Sequence, residues 1–222
     1  VKEKDASAYV FGVLPEKKEI PLYGIENVLM VQFIPGSFTW ATGIPADEVP
    51  PEGFKLEDVF PWALSTMEGI NAVDSEQEHS LLLRRFLDQC QAKKTGRRDS
   101  DEKMAASIAG YMMQNRRAVR MKELEDRYGY TARTLQKLVL KNVGITPKQL
   151  SLQICLQSAI RQLSDNKECS LTEMSHQMDF YDQSHFNRIF RKMTGLCPGE
   201  YIKRLEGRAA GEEPKQIKHA LS

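Results

Sequence analysis

Four scarcities narrow this chain before anything in it is read. It has 4 cysteines in 222 residues, Cys90, Cys155, Cys169 and Cys197, and no C-x-x-C pair among them. That usage excludes a disulfide scaffold and a thiolate metal finger, and is that of reduced, mostly structural thiols in a cytoplasmic protein. Histidine numbers 4, and His79 alone precedes residue 103, so a clustered-histidine metal site in the first half is excluded. No apolar run approaches the ~18 residues of a membrane span, and nothing resembles a signal peptide. Net charge is nearly nil as well: 31 Lys and Arg stand against 30 Asp and Glu, a formal +1.

The last of these scarcities is a cancellation. Residues 103–208 hold 18 basic and 10 acidic side chains, a net +8, whereas residues 1–102 hold 11 basic and 18 acidic, a net −7. A basic helical half is the electrostatic footprint of a phosphate-binding module. An acidic half is better suited to sensing, dimerising or contacting protein. The length accommodates two domains at about 100–200 residues each.

Within the basic half one segment occurs twice. DQSHFNRIFRKMTG, residues 182–195, lies at a constant offset of 51 from TARTLQKLVLKNVG, residues 131–144. In register, Leu135 meets Phe186, Leu138 meets Ile189, Val139 meets Phe190, Gly144 meets Gly195, Pro147 meets Pro198 and Leu150 meets Tyr201. The shared apolar positions recur at i, i+3, i+4, which is one face of an α-helix. The opposite face carries Arg133, Gln136, Lys137 and Lys141 in one copy and Ser184, Asn187, Arg188 and Arg191 in the other. Such side chains match base edges and phosphates, so two copies predict two DNA readers.

What precedes each copy agrees. MKELEDRYGY (121–130) and LTEMSHQMDF (171–180) read as short helices, with Ser170 and Glu173 as a capping box for the latter. A short helix, a tight turn and a longer polar-faced helix make a helix-turn-helix unit. Thr131 and Asp182 are placed to cap the second helices, and Gly144 and Gly195 to stop them.

The rest of the chain is less regular. VLMVQFI (28–34) reads as a buried strand ended by Pro35-Gly36, and FTWATGI (38–44) as a second strand or an extended loop. The Pro-rich stretch from Pro45 to Gly53 is a loop. A helix is expected around Leu56 to Met67, with Pro61 either limiting it or setting its first turn. Residues 75–94 form the clearest helix of this half, with Ser75 and Glu78 as a capping box and Leu83, Phe86, Leu87 and Cys90 as its stripe. KKTGRRDSDE (93–102) is a polar linker, and a helix with Met104, Ile108, Tyr111 and Met112 opens the basic half at 103–115. Pro147 to Leu163 reads as one helix joining the two readers, with Pro147 at its first position.

With these residues in place, 103–206 resembles the C-terminal DNA-binding domain of the AraC/XylS family of bacterial transcription regulators, most fully over SLTEMSHQMDFYDQSHFNRIFRKMTGLCPGEYIKR (170–204). The resemblance implies a mainly α fold: an all-α, homeodomain-like tandem helix-turn-helix domain over 103–208, behind a linker at 93–102 and ahead of a polar tail at 209–222. It implies Arg133, Gln136, Lys137, Gln183, Ser184, His185, Asn187 and Arg188 as base-reading residues. Thr131, Lys141, Asp182, Arg191 and Lys192 become phosphate partners, and Leu135, Leu138, Phe186, Ile189 and Phe190 core. Three positions depart from the pattern. The joining helix reads QLSLQICLQ where the family carries arginines, Leu138-Val139-Leu140 stands where a basic residue is common, and Cys197 replaces a Ser or Thr cap. Residues 28–90 resemble, less specifically, the end of a cupin-like sensor domain, so 1–92 is expected to be a small α+β sensor or dimerisation domain, truncated or reduced.

The function expected is sequence-specific DNA-binding transcription regulation, by activation or repression, through two recognition helices in successive major grooves. The alternative is a protein-interaction module that keeps the fold with weak DNA affinity. Catalysis would need a nucleophile, a base and a site to hold them. His176 and His185 lie near Cys169 and Asp182, but all four belong to the DNA-facing motif, so no enzyme, cofactor or metal is expected. The partners expected are double-stranded DNA, RNA polymerase, an unidentified small-molecule effector, and a second copy paired through the helix at 75–91, where Leu81, Leu82 and Leu83 widen the apolar surface. No membrane is among them.

Overall fold

A computed structural model describes residues 8–14, 30–73, 75–92, 99–165 and 183–209. The described part is mainly helical. β1 (Tyr9–Val10) and β2 (Phe54–Lys55) form a two-residue antiparallel pair, Tyr9 opposite Lys55 and Val10 opposite Phe54. The helices are α1 (Phe38–Thr42), α2 (Leu56–Val59), α3 (Leu64–Ala72), α4 (Glu76–Ala92), α5 (Ser100–Asn115), α6 (Met121–Tyr128), α7 (Ala132–Val143), α8 (Pro147–Asp165), α9 (Gln183–Thr194) and α10 (Pro198–Ala209). Single 3-10 turns lie at Ala46–Glu48 and Pro61–Ala63. The expected short helix at 171–180, its Ser170–Glu173 box, the Asp182 cap and Cys169 lie outside the described residues.

Contacts gather the described residues within Val1–Val13, Phe33–Ser107 and Lys137–Gly144 into one compact unit, and those within Leu14–Gln32, Ile108–Gln136 and Ile145–Ser222 into another. The division runs through α5 and α7 themselves.

In the first unit, Phe60, Ala63, Phe86 and Cys90 form a small core, with Phe60 edge-on to Phe86 at 5.3 Å between ring centroids and Trp62 beside both. Burial pushes the Cys90 thiol up to about 11, so it stays protonated and unreactive. A neighbouring core joins Val10, Phe38 and Ala46, with Phe33 packed on its edge. Pro61 does limit the helix begun at Leu56 and sets a new first turn: Phe60 before it leaves the helical region, at φ −132° and ψ 79°, and the chain restarts through the 3-10 turn Pro61–Ala63 into α3. On α4, Phe86 and Cys90 are buried as expected and Leu83 is half-buried, but Leu87 is exposed and leaves the stripe. Leu82 faces Gly69 of α3. His79 hydrogen-bonds the Ile70 carbonyl oxygen at 3.1 Å, an ordinary structural role.

Two strand expectations fail. Residues 30–34 are not a strand, and Met30, Val31 and Ile34 are exposed. A β-branched run makes a strand only if another strand pairs with it, and none among the described residues does. Residues 38–42 are helical, neither strand nor extended loop. Thr42 and Gly43 end α1: the Thr42 hydroxyl donates to the Phe38 carbonyl at 3.0 Å and accepts the Ile44 N–H at 3.0 Å.

The second unit is built on α8. Its buried Cys155, Leu156, Ala159 and Leu163 pack against Phe186 and Phe190 of α9, with Leu152, Tyr201 and Ile202 at the margin. Phe190 lies 5.6 Å from Phe186 between ring centroids, the rings tilted by 60°, and meets Tyr201 edge-on at 5.5 Å. Two anchors add to this. The buried Ser151 Oγ accepts the Val119 N–H at 2.8 Å, and Gln153 Nε2 donates to the Leu14 carbonyl at 2.8 Å.

Candidate nucleic-acid interface

The first expected reader is built from a short helix, a turn and a longer helix. Glu125 fixes the turn from both sides. Its carbonyl accepts the Gly129 N–H at 2.9 Å, closing α6, and its Oε1 accepts the Ala132 N–H at 2.7 Å, opening α7. A carboxylate at a helix N-terminus satisfies a donor the helix leaves open and suits the positive end of its dipole. Thr131 Oγ1 also accepts the Thr134 N–H, at 3.4 Å. Gly144, at φ +89°, stops α7, and Gly195, at φ +80°, stops α9 at the matching place in the repeat.

Behind the turn, α5 and α6 are held by a polar cluster. The Tyr111 hydroxyl donates to Glu123, and Arg117 grips the same carboxylate at 2.8 and 3.1 Å. Arg127 lies over the Tyr111 ring, 4.2 Å from its centroid. The Arg117 and Tyr111 bonds hold the Glu123 carboxyl below its ordinary range, and the Glu123 bond raises the Tyr111 phenol. Nothing in the periodicity of the sequence singles out this cluster.

On α7, Leu135, Val139, Asn142 and Val143 are buried, while Arg133, Gln136, Lys137 and Lys141 are exposed together on the opposite face. Leu138, expected in the core, is only half-buried. Leu140, also half-buried, lies among the polar residues by helical spacing. On α9, Phe186 and Phe190 are 0% exposed, and Gln183, Ser184, Arg188, Arg191 and Lys192 are all exposed. Ile189, expected in the core, packs half-buried at its edge. His185 and Asn187 flank the inward face and are half-buried; Asn187 Oδ1 is buried with no hydrogen-bond partner among the described residues. Asp182 lies outside them.

The helices after each reader begin alike. Ahead of α8, the Thr146 N–H donates to Gln149 Oε1 at 2.9 Å and Thr146 Oγ1 accepts the Gln149 N–H at 3.3 Å, a reciprocal box. Ahead of α10, the Cys197 N–H donates to Glu200 Oε2 at 2.7 Å. The start that Cys197 puts in question is therefore supplied from three residues downstream. The signal was in the sequence, as T-x-x-Q and C-x-x-E at the same offset of 51.

Among the described residues, no group of three or more His, Cys, Asp or Glu side chains could hold a metal ion, and no helix is long and apolar enough to cross a membrane.

Comparison with known proteins places this geometry in a class. Residues 124–204 match the family described as a helix-turn-helix domain. The transcriptional activator RhaS of Pectobacterium carotovorum subsp. carotovorum (strain PC1) is 29% identical over 100 residues, 45% of this chain and 36% of that protein. The uncharacterized transcriptional regulatory protein YesN of Bacillus subtilis (strain 168) is 30% identical over 78 residues, 35% of this chain and 21% of that protein. The chain thus spans about a third or less of the length of these curated relatives. The crystal structure of a probable AraC family transcriptional regulator from Rhodopseudomonas palustris CGA009 overlays 46% of this chain and 97% of that one, at 25% identity and a TM-score of 0.43. Over residues 124–204 the chain carries a helix-turn-helix domain.

Proposed function

We propose that the protein is a sequence-specific DNA-binding transcription regulator whose α7 and α9 enter successive major grooves. The observation that carries this is the two-sidedness of α9. Its inner face is fixed by fully buried Phe186 and Phe190, and its outer face exposes Gln183, Ser184, Arg188, Arg191 and Lys192. The first copy repeats the pattern with Arg133, Gln136, Lys137 and Lys141. Arginine pairs bidentately with guanine, Gln with adenine, and lysine with phosphate as a point charge. In this reading His185 and Asn187 reach bases from the margin of the helix, and Thr131, Lys141, Arg191 and Lys192 hold phosphates. The interaction-module alternative is not favoured, since the relatives matched over this domain are named transcriptional regulators.

The proposal extends to the organisation of the chain. Residues 103–208 are the DNA-binding domain, 93–102 a linker, 1–92 a sensor or dimerisation module and 209–222 a polar tail. The protein works in the cytoplasm as a regulator without catalytic activity, with RNA polymerase and a small-molecule effector as further partners. A second copy meets α4, where Leu81 is 52% exposed; Leu81→Glu should then abolish a dimer seen by sedimentation at micromolar concentration.

Selection of bound sites from random duplexes tests the central reading. The expected result is one enriched site with two blocks of preferred bases about 10 base pairs apart. Recovery of DNA without any preferred bases would contradict it.

A further inference from the structure

The segment from Gly36 to Ala46 is docked on the reading helices' own scaffold more closely than packing alone requires. Thr39, 6% exposed, donates its hydroxyl to the Lys141 carbonyl at 3.3 Å and accepts the Ala46 N–H at 3.1 Å. The last four carbonyls of a helix have no partner within it, and Lys141 is in the last turn of α7, so Thr39 satisfies one of them from outside. Two glycines mark the same approach. A Cβ on Gly144 would stand 2.9 Å from the Ala46 carbonyl oxygen, and a Cβ on Gly36 would stand 2.9 Å from the Ala106 Cα of α5. At both places backbone meets backbone with no room for a methyl group.

With this segment docked, Arg133, Gln136, Lys137 and Lys141 stay exposed. The contact grips the C-terminal end of α7 and leaves the reading face open, so it acts as a buttress, not a lid. We infer that Thr39 is a positioning residue for the first reader: through Lys141 and Gly144 it fixes the end of α7, and it is the point at which the N-terminal half acts on base choice. The use of this link in base choice rests on the proposed function; the link itself does not.

The test uses the full chain with Thr39→Val, which keeps the shape and removes both hydrogen bonds, and Thr39→Ser, which keeps the hydroxyl. In Thr39→Val, amide hydrogen exchange over the last turn of α7 should speed up roughly three- to tenfold, the scale of one lost hydrogen bond, with α9 unchanged. On the selected duplex, affinity should fall by about the same factor. The penalty for changing bases in the block under α7 should shrink while that for the block under α9 stays. Thr39→Ser should restore both. Unchanged exchange, or exchange raised equally in α9, overturns the inference, as does tighter DNA binding or equal loss at both blocks. If the parent chain selects no site while exchange responds only in α7, the proposed function fails and the link stands.

Discussion

At the scale of single residues, the proposed function divides the outer face of α9 into readers and anchors. Arg188 and Lys192 are one turn apart and both exposed. A guanidinium forks onto one guanine, whereas an ammonium serves any phosphate. Arg188→Ala should therefore cost about 1–3 kcal/mol on the preferred site and relax choice at one base position. Lys192→Ala should weaken all sequences alike and flatten the salt slope by about one unit. Binding isotherms on the preferred duplex and its single-base variants separate the two. Glu123 gives a second residue-scale prediction. Its folded pKa is depressed by Arg117 and Tyr111, so its contribution to stability is present above the unfolded carboxylate pKa and lost as pH falls through the lower folded value. Tyr111 is shifted upward, so its contribution is lost only as pH rises through a value above the ordinary phenol range. Glu123→Gln should lower the melting temperature near neutrality and remove part of the fall below the ordinary carboxylate range. A parallel acid limb in the variant would contradict this.

At the scale of elements, legibility followed the range of the interaction that decides each one. α4, α6, α7, α8 and α9 carry strong periodicity and local stops, and their positions follow from the sequence nearly residue by residue. The polar faces of α7 and α9 were legible for the same reason. Residues 30–34 and 38–42 were not, because what settles them is distant. The first needs a strand partner, and the second is turned into a helix by burying Phe38 and tying Thr39 to Ala46 and Lys141. β-branched threonines hide such a helix from local propensity. The Glu125 clamp and the Ser151 anchor were equally invisible, since neither glutamate nor serine is unusual in a helix. Ser151→Ala should expose their worth. It leaves the buried Val119 N–H without its acceptor, which costs about 1–3 kcal/mol by denaturant titration. A change below about 0.5 kcal/mol, the size expected of an ordinary surface substitution, would show that the anchor holds nothing. Phe190→Ala, which empties the meeting point of α8, α9 and α10, should cost more, about 3–5 kcal/mol.

At the scale of the whole molecule, the partition of charge sets how the proposed regulator should meet DNA. A net +8 over 103–208 beside a net −7 over 1–102 means that one half attracts phosphate and the other repels it. Binding should release several counterions, so log K should fall linearly with log salt with a slope of order −4 to −8, for roughly 5–9 phosphate contacts. The joining helix, with few cations in its first turns, places the slope nearer the shallow end. A salt-independent association would mark a protein interaction instead. The central claim, two readers in successive major grooves, is tested most directly by guanine-N7 methylation interference on the selected site, because N7 lies in the major groove. Two interfering patches on one face of the duplex, about 34 Å apart, are predicted, with Arg188→Ala erasing a guanine from one patch only. A single patch, or two patches on opposite faces, would contradict the account.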